Sequence, residues 1–143
     1  MPYREKIAWL SLFAIVVAFG PYFVIASMNT PSGMEDVPDL QFLLRYTLAA
    51  AAQLMILGVG HVLLRRTAPE DAGQPADERD RAIERRSMQI AYYVLMAGTV
   101  IVGMIMPFEA AGYEIVNAAL AAIVLSMLVQ HGLVVAGYRR SAA

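Results

Sequence analysis

Two histidines are the residues of this sequence whose chemistry stands out most. His61 and His131 each lie within a long apolar stretch that ends on an Arg-Arg pair. Imidazoles from different helices of a bundle can act as axial ligands of haem b or as metal ligands. His61 precedes Arg65 by four residues and His131 precedes Arg139 by eight, so their depths differ by roughly 6 Å at about 1.5 Å per residue. The alternative is that both histidines only form hydrogen bonds across helices.

Arg45 lies within an apolar stretch, about one and a half helical turns from its start. A charge at membrane depth is costly and tends to be paired or functional. Asp39, Glu109 and Glu114 lie towards the same side of the predicted membrane, and Glu114 lies at a comparable depth. We therefore predict an intramembrane Arg45–Glu114 ion pair that joins the two halves of the chain. Snorkelling of the Arg45 side chain to the interface is the alternative.

The densest charge cluster is residues 77–86, which read Asp-Glu-Arg-Asp-Arg-Ala-Ile-Glu-Arg-Arg. Asp77 can cap a helix, and the helix dipole favours acidic residues in the first turn. We predict that the following apolar helix begins here, about three turns inside the cytoplasm, and that it docks a cytoplasmic regulatory partner. A solvated extension that only sets the topology is the alternative. The predicted docking residues are Asp77, Glu78, Arg79, Asp80, Arg81 and Glu84.

The sequence offers little else for catalysis. It contains no cysteine, which excludes disulfides, thiolate metal sites and cysteine nucleophiles. It also lacks a Gly-rich phosphate loop, a zinc motif and a nucleophile elbow. The formal net charge of -1 provides no basic field for nucleic acid. We expect a non-enzymatic protein with no direct nucleic-acid partner.

The elements that carry these residues are four long apolar stretches. Hydrophobic residues make up 59% of the 143 residues and charged residues 16%, against about 45–50% and about 25% in soluble domains. Crossing the hydrocarbon core takes roughly 20 helical residues. Pro21 should kink the first stretch and Pro107 should end the third. The predicted spans are residues 7–28, 40–64, 88–106 and 115–137, with a cytoplasmic loop and helix extension at 65–87.

The basic residues orient these spans. Every Lys and Arg except Arg45 lies in the N-terminal segment, the central loop or the C-terminal tail. The positive-inside rule therefore places both termini and the central loop in the cytoplasm. The predicted fold is all-α, a four-helix transmembrane bundle of two antiparallel hairpins that forms one domain over residues 1–143. We expect a multi-pass protein of the inner membrane.

The two halves of the chain share short similarities. Residues 6–9 read Lys-Ile-Ala-Trp and residues 89–92 read Gln-Ile-Ala-Tyr, each near the start of a span. Duplication would relate the halves by an axis along the membrane normal; a chance match of apolar sequence is the alternative. Small residues at four-residue spacing in the fourth span favour close helix contact, within the bundle or across a homo-oligomer. They include Ala118, Ala122, Gly132 and Ala136.

The charge cluster also carries a resemblance. Residues 77–84, followed by the apolar run that begins Ile90-Ala91-Tyr92-Tyr93, resemble a group of small prokaryotic membrane proteins of unknown function. Those proteins have a similar D-E-R-D/E-R stretch before a transmembrane helix, and some are encoded beside small helix-turn-helix regulators. The resemblance implies a regulatory or accessory role and no catalytic residue. A b-type haem or metal protein that uses His61 and His131, and a small oligomeric transporter or channel, are the alternative functions.

Overall fold

The computed structural model of the protein describes residues 3–28, 40–67, 69 and 73–140. Within them the chain forms long helices and no strand. Four helical stretches are long and apolar enough to cross a membrane. The prediction of an all-α fold with four helices of membrane-spanning length is therefore confirmed. The helices are α1 (Tyr3–Met28), α2 (Leu40–Thr67), α3 (Glu78–Val100) and α4 (Gly112–Arg140).

The four helices pack as a row in the order α2, α1, α4, α3. Helix α1 contacts both α2 and α4, whereas α3 packs against α4. If a two-fold axis related the halves, α1 would be equivalent to α3 and α2 to α4. The α1–α4 contact would then have an equivalent contact between α3 and α2. The described residues form no extensive α3–α2 contact, so the packing lacks the symmetry that a duplication would predict.

Small and aromatic residues line the face of α1 that packs inside the row. Ala8, Ser11, Ile15, Ala18 and Tyr22 are buried, at alternating spacings of three and four residues that place them on one helical face. The small members of this set let neighbouring backbones approach closely. Around Tyr22, edge-to-face ring contacts from α1 and α2 fill the core, and such pairs contribute about 0.5–1.5 kcal/mol each. These rings belong to Phe19, Phe23, Phe42 and Tyr46.

Neighbouring helices run antiparallel. In α1 and α2, a Cβ on Gly60 would meet the Leu10 side chain, and Tyr22 lies against Phe42. The first contact joins the beginning of α1 to the end of α2, and the second joins the opposite ends. Helix α1 continues through Pro21 to Met28 as one α-helix, although proline removes one backbone donor.

Close approach holds α3 against α4. A Cβ on Gly98 would lie 2.6 Å from the Cβ of Ala122, and a Cβ on Gly137 would lie 2.7 Å from Cγ2 of Ile83. These two contacts lie far apart along α3 and occur in reverse order along α4, so these helices are also antiparallel. Ala122, one of the small residues of the fourth span, is thus used in packing within the molecule.

The third span changes from an α-helix to other helical forms before it ends. Residues Ile101–Ile105 form a π-helical turn and Met106–Phe108 a 3₁₀ turn. The Met106 N–H donates to the Ile101 carbonyl, five residues back. Pro107 has no amide hydrogen and cannot extend the α-helical ladder. The helical path ends at Phe108, one residue beyond the proline at which we predicted the span to end.

We expect Gly98→Ala to destabilise the protein, because the Ala122 methyl group cannot rotate away and the two helices must move apart. Overpacking of this kind costs typically about 1–3 kcal/mol, which thermal unfolding in detergent micelles would report as a lower Tm. Gly58→Ala is the matched control, since no atom lies within 4 Å of a Cβ at that position. Replacing glycine by alanine inside a helix stabilises by roughly 0.5–1 kcal/mol. Equal Tm changes in the two variants would contradict the proposed close contact.

Candidate functional site

Three helices meet in a polar cluster at one end of the molecule. The Tyr138 hydroxyl of α4 donates a hydrogen bond of 2.7 Å to Oδ1 of Asp80 in α3. Arg4 of α1 lies 3.5 Å from Oδ2 of Asp80 and 3.8 Å from Oε2 of Glu84. We call Arg4, Asp80, Glu84 and Tyr138 the three-helix junction. It places the start of α1, the start of α3 and the end of α4 side by side.

Asp80 also stabilises the start of its own helix. Asp77 is the N-cap residue of α3, and its Oδ1 accepts a hydrogen bond of 2.7 Å from the Glu78 N–H. Oδ2 of Asp80 accepts the Asp77 N–H at 3.3 Å. The Asp77 side chain accepts the Asp80 N–H in return, so the two residues form a capping box, which confirms the predicted N-cap. One carboxylate therefore connects the first turn of α3 to both α1 and α4.

Tyr138 is the most buried member of the junction. Tyr138 comes directly after the predicted fourth span, and its side chain packs in a small core with Ala8, Val134 and Val135. Burial, and then the hydrogen bond to Asp80, raise the pKa of the Tyr138 phenol above its usual value. The raised pKa agrees with the role of the hydroxyl as a donor to the Asp80 carboxylate.

The six predicted docking residues lie on two sides of α3. Asp80 and Glu84 point towards Arg4 and belong to the three-helix junction. Their partner Arg4 was not predicted, because the spacing of charges within the cluster does not indicate a residue of another helix. The remaining four residues are exposed. They are Asp77, Glu78, Arg79 and Arg81.

A cavity of about 110 Å³ lies beside the junction, large enough for several water molecules. His131 is half-buried and lines this cavity together with Gln130. The cavity is lined on its charged side by Arg4, Asp80 and Glu84. The polar side chains that line it can form hydrogen bonds with water. No group of three or more metal-ligating side chains occurs among the residues that the structure describes.

His61 lies elsewhere in the row. Its Nδ1 is 3.0 Å from the carbonyl oxygen of Leu57 in the preceding turn of α2. Helix α1 lies between α2 and α4, which form no extensive contact in the described part of the chain. The structure thus gives no sign of His61 and His131 on packed, facing helices, the arrangement that the haem or metal hypothesis requires. That hypothesis stays a prediction.

Arg45 and Glu114 are both exposed, and the ion pairs found among the described side chains do not include this pair. The Glu114 carboxylate instead accepts hydrogen bonds from the Ala111 N–H at 3.1 Å and the Tyr113 hydroxyl at 3.3 Å. Both donors lie at the start of α4, where the helix dipole favours an acidic side chain. The interposed α1 separates the helices of Arg45 and Glu114. Asp39, another candidate partner of Arg45, lies outside the described residues.

The geometry is that of four apolar helices joined by a charged junction at one end. Residues 4–142 match the family described as "Predicted membrane protein (DUF2178)". The chain belongs to this family. The match covers nearly the whole chain and agrees with the predicted class, a membrane protein without an assigned activity. No curated protein and no solved structure matches the chain.

This member of the DUF2178 family also has a polar contact inside the apolar layer that the sequence reasoning missed. The Tyr22 hydroxyl of α1 donates a hydrogen bond of 2.9 Å to Oδ1 of Asn117 in α4. A tyrosine is well suited to this position because its ring packs in the core while its hydroxyl reaches a partner. A lone asparagine in an apolar span was the available signal, since such residues tend to bond across helices.

We expect Tyr138→Phe to destabilise this DUF2178 protein, because the Asp80 carboxylate loses a buried donor. Hydrogen bonds to charged groups contribute about 1.5–3 kcal/mol, so thermal unfolding in detergent should show a clearly lower Tm. Tyr93→Phe is the matched control, since the Tyr93 side chain is 60% exposed on α3. A Tyr138→Phe variant as stable as the Tyr93→Phe variant would show that the Tyr138–Asp80 hydrogen bond adds nothing to the stability of the fold.

Proposed function

We propose that this is a non-enzymatic membrane protein that docks a cytoplasmic regulatory partner through the exposed side of residues 77–86. The observation that supports this is the division of the charge cluster between two sides of α3. Asp80 and Glu84 hold the helix to α1 and α4, while Glu78 and Arg81 remain exposed. A helix anchored on one side presents the charges of its other side in a fixed arrangement.

The exposed side carries a shallow, open groove of about 390 Å³ that is bounded only by side chains of α3 itself. Arg81 and Arg85 follow each other by one helical turn along it, and Glu78 lies at its start. The groove therefore suits a partner segment with acidic residues opposite the two arginines and a basic residue opposite the glutamate. Mixed charge of this kind gives register and specificity more than affinity.

The proposed orientation rests on the basic residues. The three-helix junction places the starts of α1 and α3 beside the end of α4, and the Arg pairs that end α2 and α4 are Arg65–Arg66 and Arg139–Arg140. The positive-inside rule assigns an end so rich in arginine to the cytoplasm. We therefore infer that the exposed side of 77–86 faces cytoplasmic proteins at the inner membrane. The resemblance of residues 77–84 and the following apolar run to small membrane proteins, some of which are encoded beside small helix-turn-helix regulators, supports a regulatory role.

We expect the double variant Glu78→Lys/Arg81→Glu to lose the partner. It exchanges the two charges and leaves the net charge unchanged, so a general change in surface potential is excluded as the cause. Cross-linking in native membranes, followed by affinity capture and mass spectrometry, would compare proteins captured by the variant and the wild type. A partner captured only by the wild type is the expected result.

The junction must stay intact in this test. Reversing all six cluster residues would also break the Asp80 contacts to Arg4 and Tyr138, so loss of a partner could then follow from misfolding. Glu109→Lys, an exposed charge reversal beyond the far end of α3, is the control for charge reversal elsewhere. An identical capture profile for the double variant and the wild type would refute the docking proposal.

A further inference from the structure

A second groove lies between α3 and α4 and has a volume of about 270 Å³. Its lining is mainly apolar, with Ile90 from α3 and Leu133 and Ala136 from α4. Ser87 also lines it, but its hydroxyl already donates to the Ile83 carbonyl at 2.8 Å. Apart from its rim, the groove thus offers a hydrocarbon surface and no free side-chain donor.

Two arginines complete the lining of this groove, Arg86 from α3 and Arg140 from α4. Both are exposed, and no acidic side chain lines the groove in the part of the chain that the structure describes. The nearest carboxylates along α3, Asp80 and Glu84, are directed to Arg4 of the three-helix junction. The groove therefore carries a local positive charge that the junction does not neutralise.

The position of these residues matches the layers of a bilayer. Arg86 precedes the predicted third span by two residues, and Arg140 follows the predicted fourth span by three. Ile90 and Leu133 lie inside those spans. The arginines are therefore at the level of lipid headgroups, while the apolar part of the groove extends into the acyl-chain layer.

We propose that this groove binds an anionic phospholipid, with the headgroup phosphate held by Arg86 and Arg140 and an acyl chain lying against Ile90 and Leu133. Guanidinium groups match phosphate oxygens with paired, charge-assisted hydrogen bonds. Basic pockets between transmembrane helices are a recurrent way of binding acidic headgroups. A zwitterionic lipid brings a cationic group to the same place and gains less. The lipid site shares Arg86 with the groove proposed for a protein partner, but its other lining residues and its test are its own, so either proposal can fail without the other.

The test titrates delipidated protein in detergent with phosphatidylglycerol or phosphatidylcholine and counts bound lipids by native mass spectrometry. The wild type should bind phosphatidylglycerol more tightly. Arg86→Gln/Arg140→Gln should weaken that binding roughly 25-fold, from about fivefold for each arginine near a phosphate, and weaken phosphatidylcholine binding less, because that lipid gains less from the arginines. Equal binding of the two lipids by the wild type would overturn the proposal.

The matched control is Arg65→Gln/Arg66→Gln. It removes the same charge from the Arg pair that ends α2, outside the groove, and should leave phosphatidylglycerol binding within about twofold of wild type, well short of the fivefold expected for one arginine. An equal loss in both double variants would mean diffuse attraction by surface charge and would refute a defined site. Ala136→Leu, which fills the groove and keeps both arginines, should also weaken binding. Because the arginine variants alter only exposed side chains, their comparison decides the matter even if Ala136→Leu does not fold.

Discussion

The packing of three of the helices depends on the interactions of one group, the Asp80 carboxylate. It accepts the Tyr138 hydroxyl, pairs with Arg4 and accepts the Asp77 N–H, so α1, α3 and α4 are joined at one point. Charge-assisted hydrogen bonds are shorter and roughly twice as strong as neutral ones. A carboxylate taken partly out of water also needs its partners, because each lost donor leaves a desolvated charge behind. The three helices are thereby held together at the end of the molecule where the charges lie.

Elsewhere in the molecule the helices must pack without the hydrophobic driving force that water supplies to soluble proteins. Lipid tails are as apolar as the side chains of the helices, so burial of hydrophobic surface does not drive the helices together. Close contact between small residues, such as Gly98 against Ala122, and an internal hydrogen bond from Tyr22 to Asn117 take its place. Helices α1 and α4, which each pack against two neighbours, lie inside the row. Helices α2 and α3 keep most of their apolar surface exposed, as suits helices that face acyl chains.

The first turns of α3 show how one helix can serve several surfaces. Asp80 and Glu84, one turn apart, face the junction, whereas Glu78 and Arg81 lie on the side proposed for a protein partner. Arg86 borders the groove proposed for a lipid. At 3.6 residues per turn the junction residues fall on a different side from the others, so structural and binding roles need not compete, whereas Arg86 lines both proposed binding grooves. The capping box fixes where the helix starts, and hence the angular position of every later residue.

By itself the sequence determined the four apolar helices, the N-cap at Asp77 and the end of the third span near Pro107. Those features depend on the hydrophobicity of about 20 successive residues and on the local chemistry of the backbone. The order of the helices was decided only in the tertiary structure. Similar predicted depths suggested that Arg45 pairs with Glu114 and His61 with His131. Depth, however, tells how far a residue lies into the membrane and not which helices are neighbours. The order of the helices depends on many small contacts summed along α1 and α4. In the observed order, α1 lies between the helices of each predicted pair, and Arg4 lies beside Asp80.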